Sequence, residues 1–246
     1  MRNIKLLIEY DGTNYIGWQR QPQAHGKSIQ GVIEDGLKKM VQHEVKLISA
    51  GRTDAGVHAL GQVANFHTAS TIPIERFPLA LKGILPRDIV VKGAWEVAPD
   101  FHARYSAREK TYRYTIRTAR LPSALHWRYA THIPGPLNIA EMRKAAGFFT
   151  GTHDFRSFCA KGSPVKDFVR TVKKAELTHD EDHIYFEVTA DGFLYHMVRI
   201  MVGTLIEIGR GYWPAEQVKT ILAAKDRELA GPTALPQGLM LVEVKY

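Results

Sequence analysis

Ile4-Lys5-Leu6-Leu7-Ile8-Glu9-Tyr10 is the stretch on which the reading of this chain turns. Ile4, Leu6, Ile8 and Tyr10 alternate with Lys5 and Glu9, the period of a strand with one buried face. Ser28 then stands as an N-cap before Ile29, Val32, Ile33, Leu37, Met40 and Val41, which follow helical spacing. Two short strands are expected near Glu44–Ala50 and Gln62–His67, with a glycine-containing loop between them. Pro78 suits the first turn of a short helix that runs to Ile84. Ile89, Val91, Trp95 and Val97 alternate as a closing strand, so the order is β-α-β-β-α-β.

The second half repeats that order. Tyr112, Tyr114 and Ile116 share one strand face, with Thr111, Arg113, Thr115 and Arg117 on the other. Asn138 caps a helix through about Phe149, and Val172–Leu177 with Ile184–Ala190 form a hairpin. Met197–Ile208 is a strongly apolar helix and Pro214 introduces another over Trp213–Ala224. Met240, Val242, Val244 and Tyr246 make a final strand. Two split β-α-β units predict an α+β fold, an α/β sandwich, built as a ferredoxin-like doublet of the kind RNA-recognition modules also use. The expected subdomains are residues 1–103 and 104–246, with the break near Pro99–Arg108 and a binding cleft between their antiparallel sheets.

Composition narrows the class. The chain has 246 residues, 45% hydrophobic and 24% charged, an ordinary globular mix. Its one cysteine, Cys159, excludes a disulfide framework and a multi-cysteine zinc site and points to a reducing compartment. Neither the N-terminal apolar run nor Met197–Ile208 is long enough for a signal peptide or a membrane span, so a cytoplasmic protein without membrane contact is expected. The formal charge of +8 is uneven. Residues 1–103 hold twelve basic and ten acidic side chains, residues 104–246 twenty-one and fifteen. Arg104, Arg108, Lys110, Arg113, Arg117, Arg120 and Arg128 stand against Glu109 alone, and Tyr105, Tyr112, Tyr114 and Trp127 are interleaved with them. Cations beside stacking rings suit a nucleic-acid surface, and equally a solvated basic face.

Few residues suit chemistry. Gly51-Arg52-Thr53-Asp54-Ala55-Gly56-Val57-His58-Ala59 lies between two strands, and Val57 and His58 stand where a phosphate loop needs Lys and Ser or Thr. What remains is a tight turn presenting Arg52 and Asp54, with Asp54 either a turn former or a reactive carboxylate. Arg199 is the only charge in His196–Ile206, and its helical neighbours are Tyr195, His196, Val202 and Gly203. It is either an arginine snorkelling at a helix start or one with a buried carboxylate partner. Trp18, Gln19, Arg20 and Gln21 read as a loop with no charge partner nearby, open to a polyanion. The eleven histidines lack metal-ligand spacing and no nucleophile elbow is present, so no metal is expected.

Several long motifs occur together. They are YDGTNYIGWQRQ from Tyr10, SIQGVIE from Ser28, GRTDAGVHALGQVANF from Gly51, FHARYSA from Phe101 and KTYRYTI from Lys110. GTHDFRSFC follows from Gly151, FLYHMVRIMVG from Phe193 and GLMLVEVKY from Gly238. On these the chain resembles the tRNA pseudouridine synthase A family over nearly its whole length. The resemblance implies an isomerase that converts uridine to pseudouridine in the anticodon stem-loop of tRNA, as a homodimer, with no cofactor and no metal. It makes Asp54 the nucleophile, Arg199 its ion-pair partner, Tyr112 the ring that stacks on uracil and Arg52 the residue that displaces the base. Arg20 and Arg113 are added as candidate substrate contacts.

Overall fold

The computed structural model describes residues 1–21 and 26–246. Its elements begin with β1 (Arg2–Tyr10), α1 (Ile29–Val41), β2 (Ile48–Ser49), β3 (His58–Thr68), α2 (Arg76–Ile84), β4 (Ile89–Val97), β5 (Glu109–Arg117) and β6 (Thr131–His132). They continue with α3 (Ile139–Gly147), β7 (Gly151–Asp154), β8 (Val169–His179), β9 (His183–Ala190), α4 (Met197–Gly209), α5 (Gln217–Ala224) and β10 (Leu239–Lys245). The fold is α+β, as the alternation of the two periods predicts.

The chain divides into two compact units, Met1–Arg108 with Met240–Tyr246, and Glu109–Leu239. The expected break at residue 103 places the last strand with the second half, whereas the structure groups it with the first. Met240 and Leu241 pair in parallel with His58 and Ala59 of β3. Periodicity identifies a strand but not the strand it joins, because side-chain alternation carries no information on distant hydrogen bonds.

In the first unit β1 lies between β4 and β3, antiparallel to both, and β2 pairs with the Ala64–Asn65 end of β3. Ile4, Leu6 and Ile8 of β1 are fully buried, as are Ile29, Ile33 and Leu37 of α1 and Phe77 and Leu81 of α2, each burial contributing roughly 1.5–3 kcal/mol. α1 starts where Ser28 Oγ accepts the Gly31 N–H at 3.2 Å and ends at Gln42 in the left-handed region, with Lys38 and Lys39 in its last turn. The strand expected over Glu44–Ala50 shrinks to two residues for a specific reason. Glu34 Oε1, buried in α1, accepts the Leu47 N–H at 3.0 Å, and Gln30 Nε2 donates to the Leu47 carbonyl at 3.2 Å. The backbone groups a ladder would use are taken by the helix. β3 instead starts four residues early, since His58 and Ala59 pair with β10 and Ala59 also pairs with Tyr10 of β1.

In the second unit the order is β5-β9-β8-β7, all antiparallel, with β6 parallel to β5. Tyr114 and Ile116 face the core with Phe186 and Ile184 opposite them. Asn138 caps α3 by accepting the Glu141 N–H at 3.1 Å. α4 is buried at eleven of its thirteen positions. α5 begins at Gln217, later than expected, because Val218 and Lys219 donate to carbonyls three residues back and wind the first turn too tightly for an α-helix.

Candidate functional site

The loop that carries Asp54 is pinned from several directions within the first unit. Ala50 N–H donates to the Val63 carbonyl at 2.8 Å and Gln62 Nε2 donates to the Gly51 carbonyl at 2.9 Å, which anchors the entry. Thr53 Oγ1 is hydrogen-bonded to the Tyr10 hydroxyl at 2.7 Å, and the Trp18 N–H donates to the Thr53 carbonyl at 3.0 Å. The Val57 N–H donates to the Asp54 carbonyl at 3.2 Å and closes a β-turn whose third residue, Gly56, has φ +76°. Only glycine adopts that φ without strain. The segment after β1 is pressed on the loop just as closely. A Cβ on Gly17 would come within 2.7 Å of the Thr53 carbonyl, and one on Gly12 would overlap the Val57 carbonyl. Burial pushes the Tyr10 hydroxyl up to about 12, against the lowering effect of its hydrogen bonds to Thr53 and Gln62, so it stays protonated in the working range. The result is a half-buried Asp54 carboxylate on a fixed backbone, with Arg52 exposed beside it.

Arg199 is the third residue of α4, in the second unit, and is also half-buried. α4 begins after His196, which has φ +60° and gives no side-chain cap. A cation in the first turn opposes the helix dipole, so Arg199 is not placed there to stabilise the helix. Its Nε–H donates to the Ala234 carbonyl at 2.7 Å, and the Ala234 N–H donates back to the Arg199 carbonyl at 3.0 Å. That exchange fixes the stem of the side chain, unlike a snorkelling arginine whose head is held by water alone. Behind it, Gly203 lets the Pro232 carbonyl approach so closely that a Cβ would overlap it.

Tyr112 lies on the core face of β5, 7% exposed, with its ring edge-on to Phe193 at 5.0 Å between centroids. Arg113 points to the other face and is paired across the sheet with Glu187, at 3.0 Å. Arg20 departs from the sequence reading. It lies 3.4 Å from Glu34 and 3.5 Å from Asp35, so the loop has carboxylate partners in α1 that its own sequence does not disclose. Trp18 is 1% exposed and belongs to the core, packed near Tyr10 at 5.9 Å between ring centroids. The basic tract is also less uniform than its sequence. Arg104 and Arg108 fall in the first unit and the rest in the second, where Arg117 is bound to Asp182 at 2.9 Å. Trp127 and Tyr129 are exposed, with the Arg128 guanidinium 5.1 Å from the centre of the Trp127 ring.

Sequence reasoning missed two of the residues that hold the Asp54 loop, Tyr10 and Gln62. A signal was present, since Gln62 and Asn65 are polar residues inside an otherwise apolar strand, and a buried amide there must find partners. Among the described residues no three His, Cys, Asp or Glu side chains converge as metal ligands, and no helix is long and apolar enough to cross a membrane.

Comparison with known proteins gives these residues a context. Residues 6–106 and 145–246 match the family model described as tRNA pseudouridine synthase. The chain is 54% identical over 243 residues to tRNA pseudouridine synthase A of Moorella thermoacetica, covering 99% of each chain. It is 50% identical to the proteins of that name from Caldicellulosiruptor saccharolyticus and Acetivibrio thermocellus, over 100% of both chains in each case. With a matching model over most of its length and relatives of this identity along the whole of it, the chain belongs to the tRNA pseudouridine synthase family.

Proposed function

We propose that this protein isomerises uridine to pseudouridine in the anticodon stem-loop of tRNA, with Asp54 as the nucleophile. The observation that carries the proposal is the pinning of the loop around the half-buried Asp54: Tyr10 of β1 bonds Thr53 Oγ1, Gln62 of β3 donates to the Gly51 carbonyl, and Trp18 after β1 donates to the Thr53 carbonyl. Such rigidity has little use for a turn former on a surface and much for a group that must meet a reacting carbon. The reaction breaks the C1′–N1 bond, turns the uracil and joins C1′ to C5. The C5 proton leaves, N1 gains a proton, and the change is redox-neutral overall, so the chemistry calls for no redox cofactor. The carboxylate acts by addition at C1′ or C6 or by removing the 2′ proton, and each route requires it ionised.

Arg199 is the counter-charge that keeps it so, which accounts for an arginine in a helix turn whose dipole opposes it. Tyr112 supplies an aromatic face for the uracil once the base has left its stack, and Arg52, exposed beside Asp54, helps to displace it. Arg20 and Arg113 reach phosphates only by leaving their carboxylates, so they contribute less than Arg52. The protein works in the cytoplasm, as a homodimer.

Tritium release from tRNA labelled with [5-³H]uridine tests the reading, because C5 loses its hydrogen only when a new bond forms there. Wild type is expected to release tritium without added metal. Asp54→Ala is expected to bind tRNA with unchanged affinity and release none. Substantial release by the variant, or none by wild type with tRNA bound, refutes the assignment.

A further inference from the structure

At the exit of the Asp54 loop two groups approach one atom. His58 Nδ1 accepts the Gly12 N–H at 3.0 Å and lies 3.2 Å from Asp11 Oδ1. The imidazole is 1% exposed. A single ring nitrogen cannot serve both neighbours at once. Unprotonated, it accepts from Gly12; protonated, it donates to Asp11. Asp11 is well prepared for either state, since its Oδ1 also accepts from the N–H and the hydroxyl of Thr13.

Charged and titratable groups reach the ring and its neighbour Asp11 from two segments. The segment after β1 supplies Asp11 and Tyr15, and the turn before β4 supplies Asp88, whose carboxylate accepts the Tyr15 hydroxyl at 2.7 Å and whose carbonyl accepts the Asp11 N–H at 2.9 Å. Tyr10 of β1 turns its hydroxyl to Thr53. In the neighbouring strand β10 the residue in register with His58 is Met240, which carries no charge.

Gly12 connects this ring to the reacting carboxylate. Its backbone lies directly on the Val57 carbonyl, and the Val57 N–H closes the turn onto the Asp54 carbonyl. Whatever fixes Gly12 therefore fixes Asp54 through two backbone contacts. We propose that His58 is a positioning residue for Asp54: the neutral imidazole holds Gly12 against Val57 and so holds the turn, and protonation moves the contact to Asp11 and loosens it. The proposal rests on the reading of Asp54 as the nucleophile.

Asparagine and glutamine separate the two ring nitrogens. The amide oxygen of asparagine stands where Nδ1 does, accepts from Gly12 and takes no proton, whereas that of glutamine stands nearer to Nε2. Single-turnover tritium release from [5-³H]uridine-labelled tRNA, followed from about pH 5 to about pH 8.5, compares wild type with His58→Asn, His58→Gln and Asp11→Asn. At neutral pH His58→Asn is expected to exceed His58→Gln by about tenfold in rate, with equal tRNA affinity. The acid limb of His58→Asn should lie at lower pH than that of wild type, because the amide takes no proton. Asp11→Asn keeps the Thr13 contacts and removes the charge that favours the imidazolium, so its limb also moves to lower pH. An acid limb that superposes on wild type in either variant, or equal rates for His58→Asn and His58→Gln, overturns the proposal. Amide hydrogen exchange at Gly56 and Val57 reads the same coupling without catalysis. Exchange there, corrected for intrinsic rates, should increase below neutral pH in wild type and not in His58→Asn. Failure of the nucleophile assignment is distinguishable, because it would appear as tritium release by Asp54→Ala while this exchange pattern persisted.

Discussion

Asp54 and Arg199 are both charges set into half-buried surroundings, yet different physics holds each in place. The Asp54 loop is a polar construction. Tyr10, Gln62 and Trp18 reach it by directed hydrogen bonds, two of the three to backbone atoms. The Arg199 turn is an apolar one. α4 is buried on nearly every side, and its fit depends on Gly203 admitting the Pro232 carbonyl, with one backbone exchange at Ala234. Hydrogen bonds fix direction to within a fraction of an ångström but fail when one atom is removed. Packing tolerates a change of chemistry and fails when volume changes. The contrast suits the two proposed roles, since a nucleophile needs a precise direction of approach and a counter-charge needs only nearness.

The largest expected effect tests the packing side. Gly203→Ala puts a methyl group into the Pro232 carbonyl and should cost about 3 kcal/mol in urea denaturation. A loss below about 1 kcal/mol would mean that α4 shifts freely and that volume does not hold Arg199. Tyr10→Phe tests the polar side and should cost about 1–2 kcal/mol by leaving the Thr53 hydroxyl without its donor or acceptor. Here the rate is the sharper readout: kcat should fall about tenfold with KM unchanged, as expected of a misplaced reacting group. The same variant changes alkaline behaviour. Folding raises the Tyr10 ionisation to about 12, so between the ordinary tyrosine range and that value the folded state holds a proton that the unfolded state has lost. Wild type therefore loses stability as pH rises through that window, and Tyr10→Phe should show a flatter decline. Ile200→Val, within α4, should cost about 1 kcal/mol and leave the rate within about twofold. A large fall in rate would show that packing also governs direction. The smallest effect is expected at the surface. Arg52→Gln should lower the dependence of tRNA affinity on salt by about one counterion, and Arg20→Gln by less, because Arg20 already has carboxylate partners.

Local pattern made much of this legible. Ser28 and the spacing from Ile29 to Val41 place α1 almost to the residue, and Met197 marks the start of α4. The Asp54 loop follows from its glycines and its place between two strands. What the sequence hid were pairings between distant residues. Nothing near Leu47 says that its N–H belongs to Glu34, so the second strand was expected over Glu44–Ala50 and is only Ile48–Ser49. Nothing near Arg20 names Glu34 and Asp35. His58 sits inside a recognisable motif, but its importance lies in the Gly12 N–H, forty-six positions earlier. Periodicity reports which face a side chain occupies; it is silent on which atom meets it there.

The pairing of β10 with β3 has a consequence for the making of the protein. Met240 follows its partner His58 by about 180 residues, so during synthesis the His58 end of β3 waits for its neighbour. At an elongation rate of about 5–20 residues per second that interval is on the order of ten seconds or more, ample time for the other strands and helices of the unit to pair. Throughout it, the edge that will receive β10 is open beside the loop bearing Asp54, and a nascent chain with such an edge is open to wrong pairing. The loop is therefore among the parts of the molecule whose final surroundings arrive latest, although its own residues are made among the first.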